Sequence, residues 1–163
     1  MITYPSRNSA RIILAEDDRP TAKLIQVGLQ RTGFPHHLNI VHDGDEAIAA
    51  LEQTVADLLL LDLHMPGKNG FEVLEYVKQQ ERLRRIPVVM FSSSGLPEDV
   101  NRAYDLHVNA YVIKRAGLPE LCRTLDSIVR FWLQTAMTPI EIRSDIRDRP
   151  CHSHSWKPCK IED

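Results

Sequence analysis

Four short apolar runs in this 163-residue chain end directly in side chains that can do chemistry. Residues 11–15 (RIILA) run into Glu16, Asp17 and Asp18. Residues 57–61 (DLLLL) run into Asp62, residues 87–91 (PVVMF) into Ser92, and residues 110–113 (AYVI) into Lys114. If these runs lie side by side, Glu16, Asp17 and Asp62 crowd one place and repel. One of them then holds its proton more tightly unless a cation intervenes. Hard carboxylate oxygens without sulfur or imidazole suit Mg²⁺. The cation and the Lys114 ammonium together neutralise three carboxylates. Such a centre is built to receive a phosphoryl group. Asp62 would be the nucleophile that forms an acyl phosphate, with the cation and Lys114 drawing charge off the phosphoryl oxygens. Ser92 could donate a hydrogen bond to one of those oxygens, and the small Ser93 would leave room for entry.

The elements needed to bring these residues together can be read from the pattern. Each run is short and apolar throughout, as in a strand buried on both faces. A weaker strand is expected at residues 38–41. Between the runs, apolar residues recur at helical spacing: Leu24, Ile25 and Leu29; Ala47, Ile48 and Leu51; Phe71, Leu74 and Val77; Val100, Ala103 and Tyr104. A final stripe runs from Leu118 through Leu121, Leu125, Ile128, Val129 and Trp132 to Leu133. Asp18 and Asp43 are placed to cap helices, with Pro20 in a first turn where its missing N–H is harmless. Strict alternation of strand and helix predicts an α/β fold with a parallel sheet covered on both faces. In such sheets ligands bind beyond the carboxyl ends of the strands, where the strand order reverses. Residues 1–10 are expected to be a flexible leader, 11–136 one domain, and 137–163 a tail too short for a separate output domain.

Composition narrows the classes further. Lys and Arg number 20 against 22 Asp and Glu, a formal net charge of −2, so bulk charge does not mark a nucleic-acid binder. No apolar run approaches the roughly 20 residues of a membrane helix, and the N-terminus has no apolar signal core. Three cysteines, an odd count, argue against a disulfide framework and for a reducing cytoplasm. Cys151, His152, His154 and Cys159 have the residue types of a zinc quartet without a finger's spacing, and are expected to be plain tail. Residues 140–149 offer the one stretch of this tail with helical patterning. Arg82, Arg84 and Arg85 are expected to form a solvated helix end.

Taken in order, the site residues resemble the receiver domain of two-component response regulators. Glu16-Asp17 match that family's acidic pair, Asp62 in LLLLDLHMPGKNG its phosphoacceptor, Ser92 its hydroxyl switch residue and Lys114 its lysine. Tyr111, three positions before that lysine, matches the aromatic switch residue. Residues 81–89 (ERLRRIPVV) and 104–114 (YDLHVNAYVIK) are similar to single-domain regulators that serve bacterial phytochromes. The resemblance implies a flavodoxin-like doubly wound sheet in the order 2-1-3-4-5. It implies Mg²⁺ held by Glu16, Asp17, Asp62 and the backbone carbonyl of His64, a residue position that also tunes dephosphorylation. The implied activity is uptake of a phosphoryl group on Asp62 from a sensor histidine kinase, a bacterial phytochrome among the candidates, or from a phosphotransfer protein. Phosphotransfer and autodephosphorylation would be self-catalysed, without the turnover of an enzyme. Ser92 and Tyr111 would then remodel the face made by the fourth helix, fifth strand and fifth helix, through which a homodimer would form.

Two other readings compete. A Mg²⁺-dependent phosphatase or phosphotransferase of the haloacid dehalogenase type would also use an aspartyl phosphate, but wants a second acid two residues after the nucleophile; here that residue is His64. A receiver-like scaffold that is never phosphorylated would not need the intact acids. One departure from the family stands out: Lys114 is followed by Arg115 where proline and a cis peptide are usual. A cis bond before a non-proline residue costs about 2.5–4 kcal/mol. Either a trans bond with a rearranged loop or a strained cis bond is expected, with Lys114 still reaching Asp62.

Overall fold

The structure, a computed structural model, describes residues 9–138. Most of the expected leader and tail, including the Cys/His quartet and the helix expected over 140–149, lies outside those residues. Five strands alternate with five α-helices: β1 (Ala10–Ala15), α1 (Arg19–Arg31), β2 (His36–Val41), α2 (Gly44–Gln53), β3 (Leu58–Leu61), α3 (Gly70–Gln79), β4 (Val88–Ser92), α4 (Pro97–Asp105), β5 (Ala110–Ile113) and α5 (Leu118–Val129). The strands pair in parallel in the order β2-β1-β3-β4-β5, so the direction of winding reverses between β1 and β3. This is the doubly wound α/β sheet that the alternation predicts.

Side-chain alternation along the central strands feeds two separate cores. In β3, Leu59 and Leu61 face one way and join Val73, Leu74 and Val77 of α3 and Ala47 and Leu51 of α2. Leu58 and Leu60 face the other way and join Ile25 and Leu29 of α1 and Leu125 and Ile128 of α5. A strand with both faces buried has no room for polar residues, which is why β3 reads as an unbroken leucine run. The α1–α5 contact is close at Gly28, where an added Cβ would collide with the Leu125 side chain.

Local chemistry sets the helix boundaries. The Asp18 carboxylate accepts from Thr21 N at 2.9 Å and caps α1; the Asp43 carboxylate accepts from Glu46 N at 2.7 Å and caps α2. Asn69 and Glu72 form a reciprocal capping box at the start of α3. The last apolar stripe is not one α-helix: α5 ends at Val129 and continues as a π-helical turn over Arg130–Thr135. Trp132 and Leu133 still pack on the second core, while Phe131 points outward and meets Trp132 edge to face. In α4 only Ala103 is buried, and Tyr104 is exposed. Arg82 is not simply solvated. Its guanidinium donates to the carbonyls of Leu51 and Glu52 at the end of α2, at 3.1 and 2.6 Å. Among the described residues no helix is long and apolar enough to cross a membrane.

Candidate functional site

The hydrogen-bond ladders of the sheet run on past the strand ends and deliver the site residues to one rim. Glu16 N donates to Val41 O at 3.0 Å, Asp62 N to Ala15 O at 2.9 Å, and Lys114 N to Ser92 O at 2.8 Å. Each ladder bond fixes the backbone from which one functional side chain projects. Gly70 adds a second constraint: its backbone passes so close to the Asp62 carbonyl that a Cβ would overlap it. The loop after β3 therefore folds back against Asp62, and Gly70 N donates to Leu63 O at 2.8 Å.

Four charged side chains converge. Carboxylate oxygens of Glu16, Asp17 and Asp62 lie within 4.8 Å of one another. The Lys114 ammonium bonds to Asp62 Oδ1 at 2.8 Å and to Glu16 Oε2. Glu16 and Asp62 are buried, Lys114 is nearly so, and Asp17 is exposed at the mouth. Burial pushes the Glu16 carboxyl above its ordinary range, an effect that the Lys114 ammonium partly offsets. The third acid of the run has a different task. Asp18 is spent on its helix cap, and its bond to Thr21 holds its carboxyl below the usual range. The remaining trio offers hard oxygen donors with no sulfur or imidazole among them, open to solvent on the Asp17 side. That donor set fits Mg²⁺ or Mn²⁺, which keep some of their waters.

The neutral residues complete the rim. Ser92 is fully buried, and its hydroxyl oxygen accepts from Ser94 N at 3.3 Å. His64 is exposed, and its backbone N–H donates to Asp62 Oδ2 at 3.2 Å. Tyr111 is half-buried, with its hydroxyl donating to Ser94 O at 3.0 Å; burial raises its pKa. No cis peptide occurs among the described residues, so the Lys114–Arg115 bond is trans, and Lys114 reaches Asp62 without the usual proline.

Sequence reasoning missed two neighbours. The Ser94 hydroxyl donates to Asp99 in the first turn of α4, which ties the loop that follows Ser92 to that helix. The His42 ring sits on the Glu16 carbonyl, 26 positions away in sequence, with Nδ1 at 2.8 Å from the oxygen. Neither residue carries a local sequence signal, because both contacts depend on how loops from different strands meet.

Comparison with known proteins agrees with this geometry. Residues 12–126 match the response regulator receiver domain. The chain is 39% identical over 135 residues to response regulator Rcp1 of Synechocystis sp. (strain ATCC 27184 / PCC 6803 / Kazusa), covering 78% of this chain and 92% of Rcp1. The crystal structure of the phosphorylated cyanobacterial phytochrome response regulator RcpA superposes with a TM-score of 0.77 at 42% identity, covering 80% of this chain and 99% of RcpA. The Mn²⁺-bound form of Rcp1 gives a TM-score of 0.74 at 39% identity, covering 80% and 99%. With the acids and the lysine at one rim of a 2-1-3-4-5 sheet, the chain belongs to the response regulator receiver domain family.

Proposed function

We infer that Asp62 is the phosphoacceptor of this response regulator and that its donor is a sensor histidine kinase or a phosphotransfer protein. The observation that carries this is the ion cluster: one ammonium shared by Asp62 and Glu16, beside a third carboxylate within 4.8 Å. An Asp62 oxygen forms the new O–P bond as the P–N bond to the donor histidine breaks, and the electron pair of that bond stays with the imidazole. Lys114 is placed to meet a phosphoryl oxygen as negative charge develops there. Mg²⁺ on Glu16, Asp17, Asp62 and the His64 carbonyl would supply Lewis-acid stabilisation of the same charge. The Ser92 hydroxyl accepts from Ser94 N and meets the Tyr111 hydroxyl; its proton would turn to the new phosphoryl group.

The readout is a change of surface. Tyr111 and Ser92 both meet Ser94, so a pull on Ser92 is felt by Tyr111 and by the loop that leads into α4. A new dianionic group biases that two-state arrangement. The edge strand β5 and the start of α4 expose Leu96 and Ile113, and Tyr104 is exposed further along α4; these support docking of a second copy of the chain. The likeness to RcpA, a cyanobacterial phytochrome response regulator, supports a phytochrome-type kinase as donor, and the receiver family supports a cytoplasmic phosphoacceptor rather than a turnover enzyme.

Incubation with a small phosphodonor and Mg²⁺, followed by intact-mass measurement, tests the reading. One phosphoryl unit is expected on the wild type and none on Asp62→Asn. Multiple turnover of a small substrate would favour the phosphatase alternative, and no adduct at all the scaffold alternative.

A further inference from the structure

We propose that His42 is a positioning residue that aims Asp17 at the cation. The proposal rests on the cation site inferred above and adds a residue outside its ligand set. The two carboxylates expected to share the ion with Asp17 are held from elsewhere: Lys114 grips both Glu16 and Asp62. The Asp17 carboxylate has no such support. It is exposed, and no hydrogen bond reaches it among the described residues. Its direction is therefore set by its backbone, which is held on one side by the peptide group that joins Glu16 to Asp17 and on the other by Asp18, the cap of α1, whose N–H also meets the Glu16 carboxylate.

The carbonyl of that peptide is where His42 acts. A carbonyl oxygen only accepts, so the bond at 2.8 Å requires Nδ1 to carry the proton and donate. Fixing the carbonyl fixes the plane of the peptide and with it the direction in which Asp17 leaves the chain. The ring itself stands on a rigid base. His42 N donates to Glu46 Oε2 at 2.8 Å, the next residue caps α2, and the preceding Val41 is in β2 and accepts from Glu16 N. Glu16 is thus held at its N–H by the sheet and at its C=O by the imidazole. Without the imidazole donor, the carbonyl can rotate toward water, and Asp17 is released from the geometry in which its oxygen lies within 4.8 Å of the other two carboxylates. Partners behind metal ligands commonly change affinity by about 10- to 100-fold when removed.

The chemistry offers a conservative rescue. Asn places its side-chain N–H₂ where Nδ1 of His stands, whereas Gln places it a bond further out, where Nε2 stands. The test is calorimetric titration of the full chain with MgCl₂ for the wild type, His42→Asn, His42→Gln and His42→Ala, with the melting temperature of each variant in chelator. The expected result is a Mg²⁺ Kd raised about tenfold or more in the Ala and Gln variants and within about threefold of wild type in the Asn variant. The chelated melting temperatures of Asn and Gln should be alike, which separates aiming from general stability. If the Ala variant does not fold, the Asn–Gln contrast alone decides. Equal Kd values for Asn and Gln would overturn the proposal, as would an unchanged Kd in Gln. A wild type that binds no Mg²⁺ would overturn the cation site itself and this inference with it; an intact wild-type Kd with no Asn–Gln contrast would overturn only the role of His42.

Discussion

Replacing Lys114 with Met tests the electrostatics of the cluster most severely. In the native site its ammonium contacts two buried carboxylates, Glu16 and Asp62. Met keeps most of the aliphatic stem and removes the charge. Two nearly buried carboxylates then face each other and Asp17 with nothing to balance them. Removing one partner of a buried ion pair typically costs about 3–5 kcal/mol. The cost here should sit at the lower end, about 3 kcal/mol, because the open Asp17 side admits water. For a fold of this size that is a fall in melting temperature of about 6–12 °C. The direction of the Glu16 shift gives the pH dependence. Burial already raises its folded pKa above the unfolded value, so the folded state binds the proton more tightly and gains relative stability as pH falls through the folded pKa. Losing Lys114 raises that pKa further, so the penalty of Lys114→Met is largest near neutral pH and shrinks as the solution becomes acidic. Glu16→Gln in the Lys114→Met background should recover much of the loss, and MgCl₂ should narrow the gap to wild type. Thermal melts in chelator at several pH values, with and without the second substitution, provide the measurement. A Lys114→Met protein as stable as wild type at neutral pH, or a penalty that grows with acidity, would refute the reasoning.

Further outcomes are expected elsewhere in the fold. Asp57 is buried and accepts Arg11 N at 2.8 Å, pinning β1 to the start of β3; Asp57→Ala should cost about 1–3 kcal/mol in denaturant melts, whereas an exposed change such as Lys23→Ala should cost little. Burial pushes the Lys78 ammonium down to about 8, and its acceptor, Asn109, is uncharged. Its folded pKa lies below the unfolded value of 10.5, so the cost of its charge is present in full below about pH 8 and fades toward pH 10.5. Stability of the wild type should therefore rise across that window relative to Lys78→Met, and parallel pH profiles would contradict this. The exposed His64 lies two residues from Asp62, so His64→Ala should change the lifetime of the acyl phosphate in a phosphate-release assay; an unchanged lifetime removes His64 from hydrolysis. Gly70→Ala should abolish phosphorylation by forcing its loop off the Asp62 carbonyl, read by intact mass.

The parts of this architecture visible in the sequence are those fixed by neighbours along the chain or by burial on both faces. The leucine run of β3 could only be an interior strand, and Asp18 and Asp43 stand where a helix needs an acceptor. Edge strands blur the signal. β2 begins at His36 rather than at Leu38, because alternate residues of an edge strand face water and tolerate His and Asn. The Asn69–Glu72 capping box has a readable spacing, but it is embedded in a Pro- and Gly-rich loop that masks it. The shift from α-helix to π-turn after Val129 leaves the apolar stripe almost unchanged, since a six-residue segment is too short for its period to be told apart. At the rim, the acids, Asp62, Ser92 and Lys114 were legible because each stands at the end of its strand or just after it. Arg82 on the carbonyls of α2, Ser94 on Asp99 and His42 on Glu16 were not, because each contact is between loops or ends of elements that only the folded sheet brings together.

The central claim is that Asp62 carries the phosphoryl group. After reaction with a small phosphodonor and Mg²⁺, borohydride reduction converts an aspartyl phosphate to homoserine, and peptide mass mapping locates it. Homoserine at position 62 and at no other acidic position is the predicted result. Label on Glu16 or Asp17, or label at position 62 that persists when Mg²⁺ is replaced by chelator, would contradict the account.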